Sequence, residues 1–187
     1  MNPAKVLIVT LLAGTLSIGI ALYGERWLAD RESGGFASDR SGQDITSLPD
    51  IRLPDTAGRE IASNSWAGKV VVLNYWATWC PACLREMPML ARLQQRFDPG
   101  RLHVVGIAID DADSVRDFLA EHSVDYQILL GDAASVVLSE RLGNRTSGLP
   151  FTAIFDSVGR LVFTHTGEMT SDLFRAQLKP LLGGEPG

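Results

Sequence analysis

An α/β fold, one sheet covered by helices, is predicted by three features of the sequence. Val70, Val71, Val72 and Leu73 form an unbroken apolar run, the pattern of a strand buried on both faces. Shortly after it the period changes. Met87, Leu90, Leu93 and Phe97 recur at helical spacing, with Arg85, Glu86, Arg92 and Gln95 between them. Further on, strand-length apolar runs alternate with helix-length stretches, the order expected of an α/β domain.

The elements follow in order. Asp50 to Leu53 and Arg59 to Ile61 flank Thr56-Ala57-Gly58, a hairpin-like opening. Lys69 to Trp76 is the first long strand. Pro81 suits an early helical position, where its missing N–H has no partner to lose, and Asp98-Pro99-Gly100 stops the helix. Leu102 to Ile109 is a second apolar strand. Asp113-Ser114 caps a helix running to about His122, Tyr126 to Leu130 is a short strand, and Ala133 to Leu142 is a helix. After Pro150 come two strands joined by Ser157-Val158-Gly159-Arg160, then a final helix from Ser171 to Leu182. No internal repeat is visible. One domain spanning residues 48–182 is long enough for one core.

The chain has two cysteines, Cys80 and Cys83, in the run Trp79-Cys80-Pro81-Ala82-Cys83 at the junction of strand and helix. A pair this close cannot staple distant parts of a fold. Its use is local, as a reversible disulfide or as half of a metal site. Unpaired amides and the positive end of the helix dipole stabilise a thiolate there. Cys80 should therefore have the lower thiol pKa and act as nucleophile, with Cys83 placed to attack the mixed disulfide.

Asn74 to Cys83 resembles the active-site segment of the thioredoxin superfamily. More narrowly, the string VVLNYWATWCPAC followed by LREMP resembles the membrane-tethered TlpA/ResA branch, which includes the cytochrome c maturation thioredoxins. The resemblance covers roughly Ile45 to Leu182. It implies a thioredoxin-like fold with a central mixed sheet flanked by helices, an N-terminal hairpin and one preceding transmembrane helix. Asp113 to Leu130 would be an inserted helix–strand unit. It also implies a cis bond at Pro150, where the backbone of Leu149 can pair with a substrate peptide. A strand-opening proline would look the same in sequence. Trp79, Pro81, Leu149 and Pro150 are the substrate-binding residues on this reading. Pro88 would bend the helix rather than break it.

Glu86, three residues after Cys83, faces the same side of the helix. The branch has a glutamate at the matching position, and the resemblance implies that Glu86 is a third catalytic residue, one that tunes the cysteines or assists proton movement. Read without the family, it is an ordinary solvated glutamate. Asn74 departs from the superfamily, which carries a buried aspartate there, and that departure points again to Glu86. Arg85 reads as a solvated or substrate-facing charge.

Val6 to Tyr23 is an uncharged run of 18 residues, about 27 Å as a helix and so able to span a bilayer. Lys5 precedes it, and Tyr23 and Trp27 suit the far interface. Residues 1–30 read as an uncleaved anchor in a bacterial inner membrane, with the domain on the periplasmic side. The alternative is a signal cleaved near Gly19-Ile20-Ala21, giving a secreted or periplasmic protein. Residues 31–47, rich in Gly, Ser and Asp, read as a flexible tether, and 183–187 as a fraying tail. The net charge of −5 argues against a nucleic-acid partner.

The function expected is an extracytoplasmic thiol–disulfide oxidoreductase. It would reduce disulfides in specific protein partners, such as apocytochrome c or copper-centre cysteines, and be re-reduced by a membrane thiol-electron donor. No dissociable cofactor is needed. One rival is a copper- or zinc-binding assembly factor using the pair as ligands, although His103, His122 and His165 stand at no recognisable ligand spacing. A disulfide oxidase or isomerase is the rival within redox chemistry.

Overall fold

A computed structural model describes residues 44–183. The apolar segment Val6–Tyr23, the tether as far as residue 43 and the tail 184–187 lie outside them. Among the described residues no helix is long and apolar enough to cross a membrane.

The centre is a five-stranded mixed sheet in the order β5-β4-β3-β6-β7. Its strands are β3 (Val70–Trp76), β4 (Leu102–Ala108), β5 (Gln127–Leu130), β6 (Phe151–Phe155) and β7 (Leu161–Thr166). Strands β3, β4 and β5 run parallel, while β6 and β7 pair antiparallel. Every residue of β3 is buried, as its continuous apolar run requires of a central strand. A small hairpin, β1 (Arg52–Pro54) with β2 (Glu60–Ala62), leans on the edge strand through an Asp55–Leu129 bridge.

The helices are α1 (Pro81–Arg96), α2 (Ala112–Glu121), α3 (Ala133–Arg141) and α4 (Ser171–Leu182). Alternation along the strands divides the core. Val72, Trp76, Val104 and Ile154 pack with Met87, Leu90, Val115, Phe174 and Leu178 from α1, α2 and α4. Leu73, Tyr75, Val105, Ile107 and Phe155 face the hairpin, Trp66 and the Leu138–Leu142 side of α3. Asn74 lies on the α1 face, paired with Gly106 on one side and Thr152 on the other. That cross-strand row is the floor of the site described below.

Three details refine the sequence reading. The cap of α2 is Asp111, not Asp113-Ser114: its carboxylate accepts from the amides of Asp113, at 2.9 Å, and Ser114, at 3.3 Å. Asp113 falls inside the first turn and pairs with Arg116. Residues 45–47, placed in the tether by composition, are hydrogen-bonded to the domain. Ile45 donates to the Arg141 carbonyl, the Leu161 amide donates to Thr46, and Ser47 bridges Arg160. Pro88 sits exposed within α1, which runs through it without interruption.

Candidate redox site

The strand β3 ends at Trp76, and a short turn through Thr78 delivers the chain to α1. Asp110, at the end of the neighbouring strand, fixes that turn. Its Oδ2 accepts from the Thr78 amide at 2.9 Å and from the Thr78 hydroxyl at 2.5 Å. Burial opposes ionisation of Asp110, but these bonds and the Asp111 amide hold its carboxyl below the ordinary value. Cys80 then occupies the N-cap of α1, with Pro81 in the first turn, and its Sγ accepts from the Cys83 amide at 3.2 Å.

Cys80 and Cys83 are joined by a disulfide with an S–S distance of 2.09 Å and Cα atoms 5.3 Å apart. The two sulfurs are not equivalent. Cys80 keeps 5% of its surface exposed, whereas Cys83 keeps none. An incoming partner can therefore reach Cys80 first.

Trp79 stands beside the pair, 67% exposed. Together with Tyr75, Ile109, Val136 and Leu149 it lines a groove of about 290 Å³. The Leu149–Pro150 peptide is cis, as the thioredoxin resemblance implies. Asn144 organises the loop that carries it. The Asn144 side chain donates to the Gly148 carbonyl and the Ser139 hydroxyl, and accepts from the Gly148 amide and the Thr166 hydroxyl. Sequence reasoning passed over Asn144. The available signal was an Asn just past a helix end and before a Gly-x-Pro, a residue type suited to bonding backbone nearby.

Glu86 is buried, at 1% exposure. Its Oε1 accepts from Asn74 Nδ2 at 2.6 Å and its Oε2 from the Met169 amide at 2.8 Å. Asn74 Nδ2 also donates to Thr152 Oγ1, at 3.2 Å. Burial pushes the Glu86 carboxyl up to about 7, its two hydrogen bonds offset part of that rise, and the Glu168 charge adds to it. Burial and the Glu86 charge raise the Tyr126 hydroxyl as well. Beside Glu86, exposed Arg85 makes an ion pair with Glu168, with N–O distances of 2.7 and 2.9 Å.

The histidines are otherwise engaged. His103 bonds Gln127 and packs on Trp66, His122 stacks on Phe118, and His165 lies in β7 opposite Thr152. Among the described residues no three His, Cys, Asp or Glu side chains gather as a metal ion would need.

Residues 43–179 match the Redoxin family model. The thiol-disulfide oxidoreductase ResA of Bacillus subtilis (strain 168) is 27% identical over 151 residues, covering 80% of this chain and 82% of that protein. ResA of Bacillus anthracis is 25% identical over 178 residues, covering 95% of this chain and 94% of its own. Among solved structures, a thioredoxin-family thiol:disulfide interchange protein from Chlorobium tepidum TLS is similar with a TM-score of 0.64 at 23% identity, covering 74% of this chain and 97% of that one. The exposed lipoprotein thioredoxin of Streptococcus pneumoniae strain TIGR4 is similar with a TM-score of 0.61 at 26% identity, covering 71% of this chain and all of that one (100%).

Proposed function

The chain belongs to the Redoxin family and is a TlpA/ResA-like thiol–disulfide oxidoreductase; from that premise we propose that it reduces disulfides in specific protein partners outside the cytoplasm. The observation that carries the reading is the asymmetry of the pair. A reachable Cys80 caps the helix, and a closed-off Cys83 has a buried acid one turn away.

In the reduced protein the Cys80 thiolate, steadied by the Cys83 amide and the helix end, attacks one sulfur of a partner disulfide. A bond forms between Cys80 and that sulfur. The partner's other sulfur leaves as a thiolate and takes a proton from solvent. Cys83 then gives its proton to Glu86 and attacks Cys80 Sγ. The intramolecular disulfide forms, and the second partner sulfur departs and is protonated in turn. Two electrons pass from the pair to the partner.

Glu86 suits the proton step because its carboxyl, raised to about 7, is part ionised near neutrality and can both take up and release a proton. Trp79, Pro81, Leu149 and Pro150 seat the cysteine-bearing segment of the partner, a role supported by the groove that Trp79 and Leu149 line. Residues 1–30 anchor the protein in the bacterial inner membrane with the domain on the periplasmic side. A membrane thiol-electron donor restores the dithiol after each turnover. Apocytochrome c and copper-centre cysteines are the substrate classes in keeping with the TlpA/ResA relationship.

Trapping tests the order of attack. Cys83→Ser is expected to accumulate mixed disulfides with partner proteins, while Cys80→Ser accumulates none. Trapping by Cys80→Ser alone, or equally by both, would reverse or remove the assigned roles.

A further inference from the structure

Consecutive residues of the loop between β7 and α4 reach the site. The Gly167 amide donates to the carbonyl of Pro150, the proline of the cis peptide, at 2.8 Å. Glu168 receives two N–H groups of Arg85, at 2.7 and 2.9 Å. The Met169 amide donates to Glu86 at 2.8 Å. Arg85 and Glu86 are neighbours on α1, and Glu168 and Met169 are neighbours on the loop. The two links form a ladder with an outer charged rung and an inner buried one.

We propose that Arg85 and Glu168 are positioning residues for Glu86. Their ion pair clips the loop to α1, keeps the Met169 amide on the buried carboxylate and balances the charge that carboxylate senses. The proposal rests on Glu86 being the proton acceptor for Cys83.

An exposed ion pair contributes little to stability, so its worth here is the placement of charge rather than strength. Both N–H groups of the guanidinium converge on one oxygen, Glu168 Oε2, which holds the loop and α1 at one distance. The other groups around Glu86 are Asn74 and, beyond it, Thr152 on the sheet, the Tyr126 hydroxyl, and Cys83 on its own helix. All four are neutral in the oxidised protein near pH 7, which leaves Arg85 and Glu168 to supply the nearby charge. Removing the Glu168 charge leaves Arg85 uncompensated, which favours the ionised carboxylate, but it also loosens the Met169 link, which favours the protonated acid, so its two effects oppose. Removing the Arg85 charge leaves Glu168 uncompensated and loosens the Met169 link, and both effects favour the protonated acid.

The test uses full-length, 13C-labelled, oxidised protein, in which the cysteines do not titrate, and follows the Glu86 carboxyl resonance against pH. The wild-type midpoint is expected at about 7. Arg85→Gln should raise it by roughly 0.2–0.7 pH unit, the displacement matching exposed ion-pair energies, and Glu168→Gln should move it by less, because its two effects oppose. The double variant removes both charges together with the clip, so it should stay above wild type through the loosened Met169 link. Asp172→Asn, which breaks the Asp172–Arg175 contact on α4, serves as control and should leave the midpoint in place. A double variant at the wild-type midpoint, or midpoints that move in no variant, overturn the clip while leaving Glu86 as proton acceptor. A wild-type midpoint near 4.5, the ordinary glutamate value, overturns the Glu86 reading and the clip with it.

Discussion

Burial decides what Glu86 can do, and it also ties the residue to stability. The folded protein holds the Glu86 proton up to about pH 7, while the unfolded chain releases it near 4.5. Between those values the fold keeps a proton that the unfolded chain has lost. The contribution is therefore complete below pH 4.5 and is lost as pH rises through 7, by on the order of 3 kcal/mol. Asp55, Asp110, Asp132 and Asp156 act in the opposite sense, because their hydrogen bonds hold them below the ordinary carboxylate value. Their contribution is present above about pH 4 and is lost as pH falls through their folded values. Urea denaturation of the oxidised protein should show wild type weaker at pH 8 than at pH 5, and Glu86→Gln should flatten that decline. A decline of the same size in the variant would place its origin elsewhere. In sequence the two cysteines were plain and the glutamate was ambiguous. A carboxylate three residues after Cys83 can be solvated or buried, and the choice depends on Asn74, 12 positions back, and Met169, 83 positions on. Periodicity carries no information about such contacts. Arg85 was read as solvated or substrate-facing for the same reason, since its partner Glu168 is equally distant in the chain.

The long strands and α1 were legible because their patterns come from one-dimensional rules. An apolar run buried on both faces gave β3 to within a residue, and helical spacing gave α1. Ends were less legible. Asp111, Asp113 and Ser114 can all cap a helix, and only the three-dimensional path shows which carboxylate meets free amides. A repeated device went unread: Asp55-Thr56-Ala57-Gly58-Arg59 and Asp156-Ser157-Val158-Gly159-Arg160. In each, the Asp accepts from amides two and four residues on and pairs with the Arg. Both glycines have φ of +81°, a conformation that L side chains rarely adopt. Gly106 is demanding in a different way. A methyl group there would lie 2.7 Å from Ile128 Cδ1 and 3.0 Å from both Trp76 Nε1 and Tyr126 Cε2. Gly106→Ala should cost about 1–3 kcal/mol by overpacking the strand beside Asn74. Chemical denaturation followed through tryptophan fluorescence measures this, and an unchanged midpoint would mean that the contact yields without strain.

For the whole molecule the proposed division of labour is between a redox domain and an N-terminal segment that would locate it. The domain core closes within residues 44–183, and the Redoxin match spans 43–179, so chemistry and fold belong together in that stretch. A fragment of residues 44–187 should keep the melting temperature and redox behaviour of the full chain. The full chain alone should sediment with membranes. Recovery of the intact, uncleaved chain in the soluble fraction would remove the anchor from the account. Electron flow is the claim on which the function turns. The most direct measurement is the reduction potential of the Cys80–Cys83 pair, obtained by redox-buffer equilibration and followed through the fluorescence of Trp79 and Trp76. A value near thioredoxin's, about −270 mV, is predicted for a reductant of partner disulfides. A value approaching about −120 mV would make the protein a disulfide donor and contradict the proposed direction of electron flow.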